Sequence, residues 1–164
     1  MSCGYHAHMS QASHPLLDAV TALLDDAPTQ WDDVLAALTQ HFGCPVGTVH
    51  LLDEGDGMLH LKAQRGLPPP VLEKVQVIPV GKGMAGVAAE RKEPVQVCNL
   101  QTDDSGVARP GAKMTQMEGS LAAPMLLDGE VRGTLGVAKP SAYDFTEEET
   151  GLLMAVGALL AARA

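Results

Sequence analysis

The sequence predicts an α+β domain in which a mainly antiparallel sheet of about five to six strands lies between layers of helix. Three observations predict it. Segments 14–24, 31–42 and 146–163 carry apolar residues at helical spacing. Two pairs of short alternating segments are each joined by a turn rich in Asp and Gly, which is how hairpins read. Hairpins of this kind must bury one face, and the helices are the layers available to cover it.

The elements follow in order. His14-Pro15 opens the first helix, whose apolar residues Leu16, Leu17, Val20, Leu23 and Leu24 recur at helical spacing. The second presents Trp31, Val34, Leu35, Leu38 and Phe42 on one face, and Gly43 stands where a C-cap belongs. Residues 48–52 read as a strand, Asp53-Glu54-Gly55-Asp56-Gly57 as its turn, and 58–63 as the returning strand. Gly66-Leu67-Pro68-Pro69-Pro70 leads through a short turn to a strand over 75–80. The Gly81–Gly86 turn starts a helix that stops before Pro94, and 95–97 is a short strand. Residues 99–118 form a long polar loop, of the kind that is usually functional in a domain of this size. A second hairpin covers 120–127 and 131–138 around Asp128-Gly129. Thr146 followed by three glutamates is an N-cap with acids in the first turn.

Bulk properties narrow the function. The chain of 164 residues suits one domain, which the reading places at 14–164 behind a flexible tail over 1–13. Its net charge of −9, with no cluster of Lys or Arg, argues against nucleic-acid and membrane-surface partners. No apolar run is long enough to span a bilayer and residues 1–13 do not form a signal peptide, so a cytoplasmic location is expected. Cys3, Cys44 and Cys98 are too few for a disulfide framework and read as reduced thiols.

Several ordered pieces resemble the GAF family of sensory domains. They are Phe42-Gly43-Cys44-Pro45 before the first strand, Ile78 to Gly86 at the strand-to-helix turn, and Pro94 to Val97. Ser120 to Met125 and Gly133 to Val137 resemble the last two strands, and Tyr143 to Glu148 the approach to the last helix. The resemblance runs from about Leu16 to the end. It implies a pocket on the sheet face opposite the terminal helices, and pairing of two copies through those helices.

The Gly81–Gly86 turn is the most informative element for chemistry. Its glycines permit close backbone approach, and the helix that follows offers unpaired N–H groups and the positive end of its dipole. Backbone N–H groups of Gly83 to Ala85, with Lys82 adding charge, can hold the polar end of a ligand. The ligand-contacting set expected is Lys82, Gly83, Met84, Ala85, Cys98, Met114, Met117, Leu121 and Ala123. Met114 and Met117, beside the long loop, suit a lid. No catalytic and no metal-binding residue is assigned. Cys3, His6 and His8 lack an enforced geometry, the Asp53–Asp56 run lacks the spaced acids of a calcium loop, and His50 and His60 read as surface or satisfied histidines.

The expected function is therefore small-molecule binding in a sensory domain without catalytic activity. A compact anion fits the helix start, a homodimer is the expected assembly, and a sensor kinase or other regulator would receive the signal. No cofactor is named. One alternative is a thiol-dependent reductase related to free methionine sulfoxide reductase, using Cys98. The resemblance weakens it: the family's reactive cysteine falls on Ala85, its loop cysteine has no match between Asn99 and Glu118, and its substrate-holding carboxylates fall on Gly136 and Ala138. Likewise the Asn-Lys-Phe-Asp-Glu signature of cyclic-nucleotide binders keeps Lys139 and Phe145, has Ala138 for Asn, and Glu149-Thr150 for Asp-Glu. A second alternative is a dimerisation module without a ligand.

Overall fold

Strand alternation and helix caps set the architecture. In a computed structural model, residues 14–25, 28–103, 107 and 115–164 are described. The elements are α1 (Pro15–Leu24), α2 (Trp31–Phe42), β1 (Val46–Leu52), β2 (Met58–Arg65), α3 (Pro69–Lys74), β3 (Val77–Pro79), α4 (Gly83–Arg91), β4 (Val95–Val97), β5 (Gly119–Leu127), β6 (Glu130–Lys139) and α5 (Glu147–Ala161). The expected tail over 1–13, with Cys3, His6 and His8, lies outside the described residues.

The six strands form one sheet in the order β3-β2-β1-β6-β5-β4, and every neighbouring pair is antiparallel. This is the predicted α+β class. The β5–β6 hairpin turns at Asp128 and Gly129, both at positive φ, the conformation whose twist matches the flanking strands. Helix α2 ends on Gly43 at φ 64°, whose N–H and that of Cys44 close the last turn onto Gln40 and Thr39. Helix α5 starts with a full capping box: Thr146 Oγ1 accepts from Glu149 N at 3.1 Å, and the Glu149 carboxylate accepts from Thr146 N at 2.8 Å.

Because side chains alternate across a strand, each strand feeds two layers. Val49, Ala63, Leu121, Ala123, Met125, Leu135 and Val137 face α1, α2 and α5 and make the main core with Val20, Leu35, Leu38, Leu153, Val156 and Leu160. The opposite face is covered by α4, where Val87 and Ala88 pack on Val95 and Ala122. Two stretches differ from the sequence expectation. The turn expected after Pro68 is helix α3, because Pro69 and Pro70 occupy the first helical turn, where proline costs no hydrogen bond. That helix buries Val71 and shortens the following strand to Val77–Pro79.

The capping box generates a stability test. Thr146→Ala removes one of its two bonds and should lower the unfolding free energy by about 1 kcal/mol in urea titration. An unchanged midpoint would show that packing of α5 alone fixes its start.

Candidate functional site

The face of the sheet away from α1, α2 and α5 is unusually small in side chains. In register across β1, β6 and β5 it presents Val46, Ala138 and Ser120, then Thr48, Gly136 and Ala122. The next row holds His50 and Thr134. All of this floor but Thr134 lines a cavity of about 510 Å³. One wall comes from Leu67, α3, Val75 and β3, another from the start of α4, and Leu100 and Thr115 close a third side. The volume suits a small organic molecule, and the walls are largely aliphatic.

The polar groups are few and placed. Helix α4 begins at Lys82, with no side chain capping it, and the first backbone bond of its opening turn runs from Gly86 N to Lys82 O. The N–H groups of Gly83, Met84 and Ala85 are thus the orphan donors of a helix start, and all three residues line the cavity. Gly81 at φ 92° and Gly83 at φ 70° shape the turn, in a region that side chains seldom adopt. Lys74 and Lys82 are the charged residues of the lining; both are exposed, and neither forms an ion pair among the described residues. Among the described residues that line the cavity there is no carboxylate and no thiol.

His50 is the residue that sequence reasoning missed. It is neither a surface nor a fully satisfied histidine: it is 2% exposed, it lines the cavity, and only one ring nitrogen is engaged. Nε2 lies 2.8 Å from the Val75 carbonyl oxygen, which can only accept, so Nε2 carries the proton. Nδ1 is buried without a partner, and so is Oγ1 of Thr134, the residue opposite His50 on β6. Burial holds the imidazole below its ordinary range despite the Val75 bond, so the ring is neutral near pH 7. Its one sequence signal was the alternation of Thr48 and His50, which also describes a solvated strand face.

The expected contact residues divide. Lys82, Gly83, Met84 and Ala85 line the cavity. Leu121 borders it, but its side chain belongs to the helix-side core, as does that of Ala123; Ser120 and Ala122 take the floor positions instead. Cys98 is exposed, one residue past β4, and does not line the cavity. Met117 packs beside it, near Val97, Leu100 and Met84. Met114 lies outside the described residues.

Two other polar groups lie apart from the cavity. Lys139 Nζ stands 4.2 Å from the Tyr143 ring centroid and 6.0 Å from that of Phe145, while Tyr143 Oη donates to Glu149 at 2.8 Å. Lys139 and Phe145, the surviving parts of the cyclic-nucleotide signature, thus pack with Tyr143 where β6 meets the start of α5. At the β1–β2 turn, Asp53 and Asp56 accept from the N–H groups of Gly55 and Met58, and His60 Nε2 sits 2.7 Å from Asp56. The Asp56 carboxyl is held below its ordinary range by the Met58 N–H and then by His60.

The sequence profile described as the GAF domain matches residues 31–162. The chain belongs to the GAF domain family. No curated protein matches it in sequence. Among solved structures, this GAF domain is similar to that of a phosphoenolpyruvate-protein phosphotransferase from Coxiella burnetii, at 24% identity, TM-score 0.75, covering 90% of this chain and 89% of that one. It is similar to the GAF domain of an Acinetobacter phosphoenolpyruvate-protein phosphotransferase, at 23% identity and TM-score 0.72, covering 92% and 93%. Free methionine-R-sulfoxide reductase from Neisseria meningitidis, solved with its substrate, matches at 20% identity and TM-score 0.74, covering 90% and 84%. At these identities the likeness is one of fold.

The two described thiols occupy opposite environments. Cys44 is buried, and desolvation pushes its pKa to about 11, with Lys139 opposing; it stays protonated at pH 8. In a Cys3→Ser background, a thiol reagent at pH 8 should label Cys98 in the folded protein and Cys44 only after denaturation. Simultaneous labelling of both would contradict the burial of Cys44.

Proposed function

We propose that this GAF domain is a sensory module that binds a small molecule in the cavity and performs no chemistry on it. The observation that carries the reading is the lining itself: an aliphatic enclosure with an open helix start and two lysines, and no thiol or carboxylate among its described residues. A thiol-based reduction needs a thiolate at the substrate. Here Ala85 stands at the helix start, and Cys98 lies outside the cavity. An amino-acid substrate would also bring an ammonium group, which finds no counter-charge on Gly136 and Ala138 and meets Lys74 and Lys82 instead. Signal would pass to a partner such as a sensor kinase, or through rearrangement of a homodimer. Leu17, Leu23, Leu152 and Leu159 are only partly buried on α1 and α5 and supply apolar surface for such pairing.

Gly136 gives the cleanest test. A Cβ there would meet only the Thr48 Oγ1 at 2.9 Å and the Leu121 carbonyl oxygen at 3.9 Å, so a side chain grows into the cavity and not into the core. Native mass spectrometry of freshly purified protein should show a bound small molecule in the wild type and none in Gly136→Leu, with both proteins folded. Retention of the same molecule by the variant would move the site elsewhere.

Gly83→Val tests the helix start. It places a β-branched residue at φ 70° and obstructs the Gly83–Ala85 N–H groups, so binding should be lost. Lys82→Ala removes a solvated charge and should weaken an anionic ligand by roughly 1 kcal/mol. Unchanged affinity in folded Gly83→Val would contradict the assigned role of the turn. For assembly, sedimentation should give a dimer at tens of micromolar; a monomer there would overturn the pairing.

A further inference from the structure

Resting on that reading of the cavity, we infer that the segment from Leu67 to Gln76, which carries α3, is a strap that opens and closes over it, and that His50 is the positioning residue that holds the strap shut.

The strap stands apart from the layers that make the fold. Helix α3 has six residues, and the side chain it buries is Val71, at 1% exposure. Leu67, Val71 and Val75 line the cavity, and none of them takes part in the hydrophobic clusters of the described residues. Helix α4 is anchored differently, with Val87 and Ala88 packed on Val95 and Ala122. A segment with little buried apolar contact of its own opens at a fraction of the cost of unfolding the domain. The strap also begins at a natural pivot. Gly66 sits at φ 78°, and Pro68, Pro69 and Pro70 stiffen the backbone that follows.

Its polar ties are few. Inside the strap, the N–H groups of Val71 and Leu72 donate to the Pro68 carbonyl, and that of Val75 to the Val71 carbonyl. Two bonds hold its ends to β2: Leu67 N donates to Gln64 Oε1 at 3.1 Å, and the Gln76 carbonyl accepts from Leu61 N at 2.8 Å. A third reaches it from β1, where His50 Nε2 donates to the Val75 carbonyl at 2.8 Å. That is the ring's one bond, since Nδ1 has no partner among the described residues. A buried polar side chain is costly unless its bonds are made. This one makes a single bond, and makes it to the strap.

When the strap lifts, water reaches Nε2–H and the Val75 carbonyl, so one bond within the protein is exchanged for bonds to water. Such an exchange changes a population by a factor of roughly three to ten. His50 therefore biases the strap towards closure without locking it. A molecule in the cavity gains apolar contact with Leu67, Val71 and Val75 only when the strap is down, so occupancy favours the closed state. The position of α3 thereby reports whether the cavity is filled.

Thiol labelling at pH 8 reads the opening. The protein carries Val71→Cys in a Cys3→Ser, Cys98→Ser background, is unfolded and refolded free of small molecules, and keeps the buried Cys44 as its reference for unfolding. The thiol at position 71 should react at least roughly tenfold faster than Cys44. His50→Phe should speed it by roughly three- to tenfold and leave Cys44 unchanged. His50→Gln, whose amide reaches the position of Nε2, should keep the rate within about twofold of the parent. A thiol at position 71 as slow as Cys44 overturns the strap. No change in His50→Phe, an equal rise in His50→Gln, or a parallel rise at Cys44 overturns the role of His50. These rates are measured without a ligand, so retention of a co-purified molecule by Gly136→Leu bears on the cavity reading alone.

Discussion

The structure depends on one constraint: successive side chains of a strand point to opposite faces, so each central strand must satisfy two layers at once. In β6, Leu135 and Val137 face the helices while Gly136 and Ala138 face the cavity. In β5, Leu121, Ala123 and Met125 alternate with Ser120 and Ala122, and in β1, Val49 stands between Thr48 and His50. Large residues on one face build the core. Small ones on the other leave a space that α4 and the α3–β3 segment roof over without filling.

Folding and function are thereby separated by the thickness of one sheet. The helix-side face buries its large side chains almost completely, with Leu121, Ala123 and Met125 at 0% exposure. Burial of that kind supplies most of the driving force for a domain of this size. The cavity face makes a different trade. It keeps orphan N–H groups at the start of α4, two lysines without an ion pair among the described residues, and a half-engaged histidine, none of which a purely structural layer would require. These departures from full satisfaction on one surface are what the proposed ligand site rests on.

Much of this was legible in the sequence, for identifiable reasons. Gly43, Asp128-Gly129 and the Thr146–Glu149 pair are local signals whose geometry follows from one or two residues, and each element they bound was placed correctly. The α4 start was legible because glycines at 81 and 83 have few other uses. What failed was the assignment of faces. Both sides of β5 are buried, so alternation could not show that Ser120 and Ala122 hold the floor while Leu121 only borders it and Ala123 lies in the helix-side core. His50 read as a surface or satisfied histidine because a polar residue over a cavity and one over water share a pattern. The α3 wall was hidden by its prolines, which read as a turn although they serve a helix start equally well.

The two-sided sheet can be tested most directly by unfolding free energies of two substitutions on opposite faces. Leu135→Ala empties space in the helix-side core, and Thr48→Leu adds volume over the Gly136 floor. In urea titrations the account predicts a loss of about 2–5 kcal/mol for Leu135→Ala and a change within about 1 kcal/mol for Thr48→Leu, whose longer side chain enters open space. A loss for Thr48→Leu as large as that for Leu135→Ala would show the second face to be packed like a core, and would contradict the cavity on which the functional account rests.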